Sequence, residues 1–372
     1  MNTESVSPVP MEGHGEYNRS SKVQAAGLST AIPLFLNATA AVELPSDLGP
    51  IVIADYGSSQ GGNSLEPIAH AIQALRQRIE PRRPVTVFHT DLPDNDFSAL
   101  FRALENDPRS YLNNSTDIFP AAIGRSFYEQ ILPPNSVTLG WSSWAVQWLS
   151  RTPISIPDQV QVAYSRDTET KAAFAAQAAS DWRAFLTHRG AELQPDGRLI
   201  VLTMALDDSE SFGYGPVLDA MYGTLLDMVE RGFLARDEVV RMTIPTVARS
   251  RSDFLAPFQA SSNGQFAELS VEHLEIFQGE DRIWNQYQKD VNAEKFGAQW
   301  AAFSRASVFP TLAADLRGGP TDPRAEEFVS RLEAGMVRKL ATAPTRMVIP
   351  LAEIVLCKGR PFHRDNPATR HQ

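Results

Sequence analysis

The stretch Ile51-Val-Ile-Ala-Asp-Tyr-Gly-Ser-Ser-Gln-Gly-Gly-Asn63 is typical of a buried strand that ends in a glycine-rich turn. Its first residues form the apolar run expected of a strand that is covered on both faces. Its glycines allow the backbone to turn sharply and to approach a bound molecule closely. The stretch therefore predicts the first strand of an α/β fold, with a ligand at the turn.

A helix and a second strand are expected directly after the turn. Apolar residues recur at three- and four-residue steps from Leu65 to Ile79, which predicts a helix with one apolar face. Residues 84–91 are typical of a strand, so the three elements make a β-α-β unit. Because ligands lie beyond the carboxyl ends of parallel strands, Asp91 is expected to face the ligand crevice.

The turn suits a nucleoside better than a pyrophosphate. Asp91 can accept hydrogen bonds from both ribose hydroxyls, while Asp55 and Asn63 lie where a charged tail would rest. The glycine spacing differs from G-x-G-x-x-G and lacks the Lys-Ser/Thr pair of a P-loop. Cationic S-adenosyl-methionine therefore fits better than an anionic dinucleotide. An ordinary tight turn of an α/β protein is the alternative.

Composition limits the remaining possibilities. A chain of 372 residues predicts one decorated α/β domain or two domains. With 34 Lys and Arg against 44 Asp and Glu, the net charge of -10 argues against nucleic acid or an anionic membrane as a partner. The single cysteine, Cys357, excludes an internal disulfide and fits a reducing compartment. The sequence shows no signal peptide or membrane-spanning run, so we expect a cytoplasmic protein.

Further elements follow from periodicity. We expect helices over residues 17–36, 97–104, 171–189 and 217–233, and strands over 134–143, 198–204, 266–277 and 347–357. Residues 106–124 are expected to form a loop, and 144–149 a short helical turn. There is no H-E-x-x-H or C-x-x-C motif, and the seven histidines are too dispersed to predict a metal site.

Taken together, short motifs along most of the chain resemble the SABATH methyltransferases, known from plant salicylate, benzoate, jasmonate and caffeine-pathway enzymes. The motifs are Tyr17 with Gln24; Ala54-Asp-x-Gly57 with Gly61 and Asn63; Asp91-Leu-Pro-x-Asn-Asp-Phe97; Ser126-Phe-Tyr128; Ser142-Ser143 with Trp148-Leu-Ser150; and Gly197-Arg198 before Val201-Leu-Thr203. The resemblance implies a doubly wound, mostly parallel, seven-stranded Rossmann-like sheet with a mainly helical cap. It also implies S-adenosyl-methionine as methyl donor and S-adenosyl-homocysteine as product.

The resemblance assigns residues to both sites. The donor positions are Tyr17, Asp55, Gly57, Ser58, Asn63, Asp91, Leu92, Ser126, Phe127 and Ser142. Gln24 and Trp148 match the pair that grips the acceptor's carboxylate, and they are the expected catalytic residues. The other acceptor positions are Trp144, Gln147, Leu218, Met221, Tyr222, Val308 and Phe309.

The expected layout has three parts. Residues 1–36 form a lid; residues 37–206 with 266–279 and 346–358 form the donor-binding core; residues 207–265 and 280–345 form the helical acceptor-binding cap. The resemblance allows a homodimer, since family members are often dimers, and it implies a small carboxylic acid as the partner molecule.

This chemistry needs no general base. A carboxylic acid with a pKa around 4 to 5 is already ionised at pH 7 and can attack the sulfonium methyl directly. Leu218 and its apolar neighbours indicate a greasy pocket, which favours an aliphatic acyl chain such as a medium-chain fatty acid. Methylation of an aromatic acid or of a purine nitrogen is the alternative. A nicotinamide-dependent oxidoreductase or a non-catalytic nucleotide-binding module is the alternative from another class.

Overall fold

The computed structural model describes residues 22–46, 49–113 and 117–359, with side chains from residue 27 onward. Seven strands in these ranges form one sheet with the order β3-β2-β1-β4-β5-β7-β6. They are β1 (Ile51–Tyr56), β2 (Val85–Asp91), β3 (Ile118–Gly124), β4 (Val137–Ser143), β5 (Leu193–Met204), β6 (Leu269–Gln278) and β7 (Pro350–Lys358).

The sheet is mostly parallel. Strands β1 to β5 run in parallel, whereas β7 lies antiparallel between β5 and β6. The order reverses direction at β1, so the carboxyl ends of β1 and β4 flank the switch point where α/β sheets bind ligands. The predicted doubly wound α/β fold is confirmed.

Helices cover both faces of the sheet. They are α1 (Lys22–Ala41), α2 (Leu65–Arg76), α3 (Phe97–Asn106), α4 (Thr168–Glu192), α5 (Gly215–Glu230), α6 (Arg236–Arg241), α7 (Arg251–Gln259), α8 (Arg282–Asp290), α9 (Ala293–Ser307), α10 (Phe309–Ala314) and α11 (Ala325–Thr342). Helix α2 begins at Leu65, as its apolar period predicts, and ends three residues before the predicted Ile79. Among the described helices, none is both long and apolar enough to cross a membrane.

Alternating side chains of β1 divide the core in two. Ile51 and Ile53 pack into a cluster that includes α1, α2, α5, α6 and the helices from α8 onward. Val52 and Tyr56 point the other way, into a cluster with α4 and α7. Helix α7 lies within residues 207–265, yet its side chain Phe254 packs against this second face. The boundaries of lid, core and cap stay a prediction.

Two local predictions were wrong. Residues 118–124, expected as loop, form β3, which is an edge strand paired with β2 alone among the described strands. An edge strand tolerates Pro120 and small residues, so it lacks the β-branched run of a central strand. Residues 144–149 are not helical: Trp144 has φ +56°, and Trp148 forms a β-bridge with Thr246. Residues 1–21 of the expected lid lie outside the described residues.

Candidate active site at the carboxyl ends of the strands

Gly57 forms the first bend after β1. Its φ is +83°, and its N–H donates to the carbonyl of Thr90 at 2.9 Å. A Cβ at this position would lie 2.3 Å from the Cβ of Ala145 and 3.5 Å from the ring of Phe127. Three loops therefore meet at this glycine, and no larger residue fits without moving one of them.

Asp91 ends β2 beside this bend. Its carboxylate accepts the N–H of Ser59 at 2.7 Å and the N–H of Leu92 at 2.8 Å. Burial raises the pKa of Asp91 to about 6, with Asp55 adding to the rise and the two N–H groups opposing it. Each carboxylate oxygen retains a lone pair for a further donor, as a ribose diol requires.

Asp55 is almost completely buried and has a partner that the sequence did not indicate. Its carboxylate is 2.8 Å from Nδ1 of His89, and Nε2 of the same ring is 2.9 Å from the hydroxyl of Tyr111. His89 lies directly opposite Asp55 in the β1–β2 register. Only the pairing of two strands brings these groups together, so no single-segment pattern could have found them.

The hydroxyls of Ser58 and Ser59 are buried without a hydrogen-bond partner among the described residues. The carbonyl of Ser59 is held by Asn95 Nδ2 at 2.8 Å, which fixes the turn. A buried hydroxyl without a partner is costly, so such groups indicate a ligand or water at the turn. Asn63, further along, is half-buried.

Residues 57–61 also have the G-x-S-x-G spacing of a hydrolase elbow, with Ser59 at the nucleophile position. The described residues provide no base for it. Both ring nitrogens of His89 are occupied by Asp55 and Tyr111, and the Ser59 hydroxyl has no partner in these ranges. The turn does not form a hydrolase triad.

The loop after β3 carries Ser126 and Phe127, both half-buried. Phe127 lies beside the glycine turn, and its stacking on an adenine stays a prediction. Ser142, at the end of β4, is buried and donates to the carbonyl of Tyr56 at 2.9 Å. In this structure Ser142 therefore joins β4 to β1.

A cavity of about 90 Å³ adjoins this edge of the sheet. Six predicted acceptor residues line it: Trp144, Gln147, Trp148, Leu218, Met221 and Val308. Tyr222 and Phe309 do not. On α5, Tyr222 is rotated about 100° beyond Met221, away from the cavity. Phe309 is fully buried in the same core cluster as Ile51 and Ile53.

Other lining residues escaped the sequence reasoning. Aromatic walls come from Phe212, Tyr214 and Phe303, and polar ones include Gln161 and Thr246. Phe212 and Tyr214 precede α5, in a segment whose Ser and Gly content predicted only a junction between domains. Phe303 falls on the same face of α9 as Ser307, a helical spacing that could have indicated it.

Trp148 and Gln147 lie in a loop held by main-chain bonds. Val247 N donates to Gln147 O at 2.8 Å, and Leu149 N to Pro245 O at 2.8 Å. The amide of Gln147 is used internally, because it donates to Trp144 O and accepts from Thr203 Oγ1. Gln147 therefore shapes the wall and offers little to a ligand.

Of the two remaining predicted residues, Tyr17 lies outside the described residues. Gln24 lies in α1, and its side chain is outside the described part. Gly27, one turn later on the same helix face, packs against Trp144: a Cβ there would be 3.3 Å from the indole. The backbone of α1 thus passes over the acceptor loop.

Comparison with known proteins then identifies the family. A family model described as SAM dependent carboxyl methyltransferase matches residues 6–353. The chain belongs to this family. The carboxyl methyltransferase is thus an enzyme that uses S-adenosyl-methionine, as the SABATH resemblance implied.

Named relatives of this carboxyl methyltransferase include fungal and plant proteins. Methyltransferase LUC1 of Fusarium sp is 29% identical over 257 residues, which cover 68% of this chain and 67% of that protein. Indole-3-acetate O-methyltransferase 1 of Arabidopsis thaliana is 26% identical over 298 residues, covering 72% and 75% respectively. A solved structure of loganic acid methyltransferase with SAH has a TM-score of 0.75 at 21% identity, covering 95% of this chain and 100% of that one. The last likeness shows the shared fold.

The donor edge of the carboxyl methyltransferase fits S-adenosyl-methionine. The partnerless hydroxyls of Ser58 and Ser59 and the free lone pairs of the Asp91 carboxylate provide hydrogen bonds for a nucleoside with a polar tail. The turn carries no Lys or Arg, as expected for a ligand with a positive sulfonium.

Proposed function

We propose that this carboxyl methyltransferase converts a small apolar carboxylic acid to its methyl ester, with a medium-chain fatty acid as the favoured acceptor. One observation carries the proposal: the described lining of the cavity contains aromatic, aliphatic and neutral polar side chains, and no charged one. Burying a second charge of the acceptor there would cost several kcal/mol, on the order of what buried ions lose without a partner.

Most polar side chains of the lining have partners within the protein, whereas the Tyr214 hydroxyl is buried without one among the described residues. Gln161 donates to the hydroxyl of Thr246 at 2.7 Å and accepts from Ala163 N at 3.1 Å. Ser304 donates to the carbonyl of Trp300 and Ser307 to the carbonyl of Phe303, each within its own helix. Gln161, Ser304 and Ser307 thus make no demand on a ligand, which supports an acceptor whose body is hydrocarbon. The Tyr214 hydroxyl offers a hydrogen bond to one polar atom of that acceptor.

The proposed mechanism relies on positioning. S-adenosyl-methionine supplies a methyl group on a positively charged sulfur. The acceptor carboxylate is ionised at pH 7, so the protein has no proton to remove. In the proposal, Gln24 and the Trp148 indole donate hydrogen bonds to the carboxylate. The apolar wall excludes water and aligns one oxygen with the methyl group. Such positioning can supply roughly 7 to 11 kcal/mol.

Neutral donors suit this task. A Lys or Arg would form an ion pair and lower the nucleophilicity of the carboxylate, whereas an amide and an indole orient it at lower cost. Trp148 is half-buried and held by the main-chain bonds of its loop, which supports a fixed donor.

An aromatic acid is the second candidate. Phe212, Tyr214 and Phe303 provide ring walls in the cavity, and Tyr214 stacks on Phe303 with ring centroids 6.2 Å apart. Flat rings pack well against such walls, although Leu218 contributes an aliphatic one. A purine nitrogen is disfavoured in the proposal, because its edge requires several polar groups, whereas Tyr214 carries the one lining hydroxyl without a partner among the described residues.

A substrate panel tests the proposal. Hexanoate, octanoate, benzoate, salicylate and xanthine are each incubated with methyl-labelled donor, and products are identified by mass spectrometry. We expect methyl esters, with octanoate or hexanoate ahead of the aromatic acids. Methylation of xanthine alone, or of no acid in a wider panel, would reject it.

Variants then test the proposed hydrogen bonds from Gln24 and Trp148 to the carboxylate. Trp148→Phe and Gln24→Ala should each lower kcat by tenfold or more, about 1.4 kcal/mol of lost transition-state stabilisation, while the Kd for S-adenosyl-homocysteine changes less than twofold. Trp284→Phe is the matched control, because Trp284 is half-buried in α8 and does not line the cavity. Equal losses in the control and in Trp148→Phe would contradict the assigned role.

A further inference from the structure

Tyr128 connects the loop that carries Phe127 with the loop that carries Trp148. Its hydroxyl donates to the carbonyl of Trp148 at 2.5 Å, and the carbonyl of Val146 lies 3.5 Å away. Burial raises the pKa of the Tyr128 hydroxyl even though the guanidinium of Arg249 opposes the shift. The hydroxyl therefore keeps its proton and donates throughout the neutral range.

On the donor side, the loop is held tightly. The rings of Phe127 and Tyr128 lie 4.7 Å apart. The carbonyl of Phe127 accepts from Arg189 at 2.6 Å, and Arg189 is fully buried and paired with Glu192 at 2.8 Å. Few rotamers are open to Phe127 in this setting, so a ligand that contacts its ring also acts on Tyr128.

On the acceptor side, the loop around Trp148 is equally restrained. Arg249 Nη1 donates to the carbonyl of Val146 at 2.7 Å, and Val247 N donates to the carbonyl of Gln147 at 2.8 Å. Because the neighbouring carbonyls are held, a small displacement of the Trp148 carbonyl must turn the backbone and the indole of Trp148 together. The Tyr128 hydrogen bond joins two rigid parts that belong to different binding sites.

We propose that Tyr128 is a positioning residue that couples occupation of the donor site to the orientation of Trp148. Contact of adenine with Phe127 fixes Tyr128, and the Tyr128 hydroxyl fixes the carbonyl of Trp148. The Trp148 indole then takes the orientation that bonds the acceptor carboxylate only when the donor is bound. The functional meaning of this coupling rests on the role proposed above for Trp148, whereas the coupling itself does not.

Fluorine NMR tests the coupling without any acceptor. The six tryptophans are replaced by 5-fluorotryptophan, and Trp148→Phe assigns the Trp148 resonance by its loss. The probe is adenosine, which carries the adenine and ribose but lacks the sulfur that would lie near the Trp148 indole. In the wild-type protein we expect saturating adenosine to shift the Trp148 resonance. In Tyr128→Phe, we expect adenosine to bind and this shift to fall at least fivefold.

The matched control is Tyr164→Phe. Tyr164 also donates its hydroxyl to a main-chain carbonyl, that of Gly213, at 2.7 Å. The Tyr164→Phe variant should retain the adenosine-induced shift of the Trp148 resonance. A Trp148 resonance that ignores adenosine in the wild-type protein refutes the proposal, and so does an undiminished shift in Tyr128→Phe. An equal loss in Tyr164→Phe refutes it as well, because the effect would then be global.

Kinetics add a second measurement. With any acid that is turned over, Tyr128→Phe should lower kcat/KM for the acid about fivefold, the usual effect of one hydrogen bond, with the Kd for S-adenosyl-homocysteine unchanged. If no acid is turned over, the proposed function fails while the NMR result still decides the coupling.

Discussion

Replacing Gly57 by alanine should disable donor binding through a steric conflict that can be located to a single atom pair. The new Cβ would stand 2.3 Å from the Cβ of Ala145. Carbon atoms in contact prefer separations of about 3.5 to 4.0 Å, so the two loops must separate by more than 1 Å. Phe127, on the third loop, lies 3.5 Å from the same point and limits the directions in which they can move.

The energetic cost has two parts. Holding alanine at φ +83° costs about 1 to 2 kcal/mol. Overpacking against Ala145 adds about 1 to 3 kcal/mol. Gly57→Ala should therefore reduce the free energy of unfolding by about 2 to 5 kcal/mol and weaken S-adenosyl-homocysteine binding at least tenfold, because the displaced turn carries the donor contacts.

Gly232→Ala separates the two parts. Gly232 has φ +72°, and a Cβ there would meet no atom within 4 Å. This control carries the backbone cost without the clash, so its affinity for S-adenosyl-homocysteine should equal that of the wild-type protein. The measurements are urea denaturation and isothermal titration calorimetry. Equal affinities in the two variants would refute the reasoning that the crowded turn holds the donor.

Three further predictions concern other residues. Burial raises the pKa of Asp91 to about 6, and its ionised form is the proposed acceptor of the ribose hydroxyls. Affinity for S-adenosyl-homocysteine should therefore be full above pH 7 and fall about tenfold per pH unit below 6. Calorimetry across pH should give a flat profile in Asp91→Asn. His89→Phe should lower the free energy of unfolding by about 3 to 5 kcal/mol, since it leaves Asp55 buried without its partner. Tyr111→Phe, which removes only a neutral bond, should cost about 1 kcal/mol in the same urea denaturation, and equal losses would contradict this account. Leu218→Trp should fill part of the cavity of about 90 Å³ and raise the KM for octanoate more than for hexanoate, with donor affinity unchanged.

The sequence predicted those parts of the fold that depend on local periodicity. The first strand, the turn, α2 and β2 follow from apolar spacing and glycines within one stretch. Strand β3 could not be recognised, because Pro120 and its small neighbours look like a loop until β2 supplies a partner. The turn at Trp144 was missed for a similar reason: its left-handed backbone is stabilised by the bond from Trp144 N to Leu202 O, which is made by a distant strand.

In the candidate site, too, local sequence predicts some residues, whereas others depend on distant parts of the chain. The general rule for strand ends predicts Asp91 and Gly57 at the same edge of the sheet, and the structure has them side by side. The partners that set their properties, such as His89, come from strand register. The cavity walls at Phe212 and Thr246 come from loops far apart in sequence, and no spacing along the chain relates them.

The insertion of β7 between β5 and β6 has a consequence for biosynthesis. Until residues 350–358 have left the ribosome, both β5 and β6 present an unpaired edge to other nascent chains. A chain stalled or cleaved ahead of Pro350 would hold most of the residues of its proposed donor site and yet expose the unpaired edges of β5 and β6. Quality-control chaperones would therefore meet this protein late in translation, and premature termination should produce aggregates instead of a soluble, partly active enzyme.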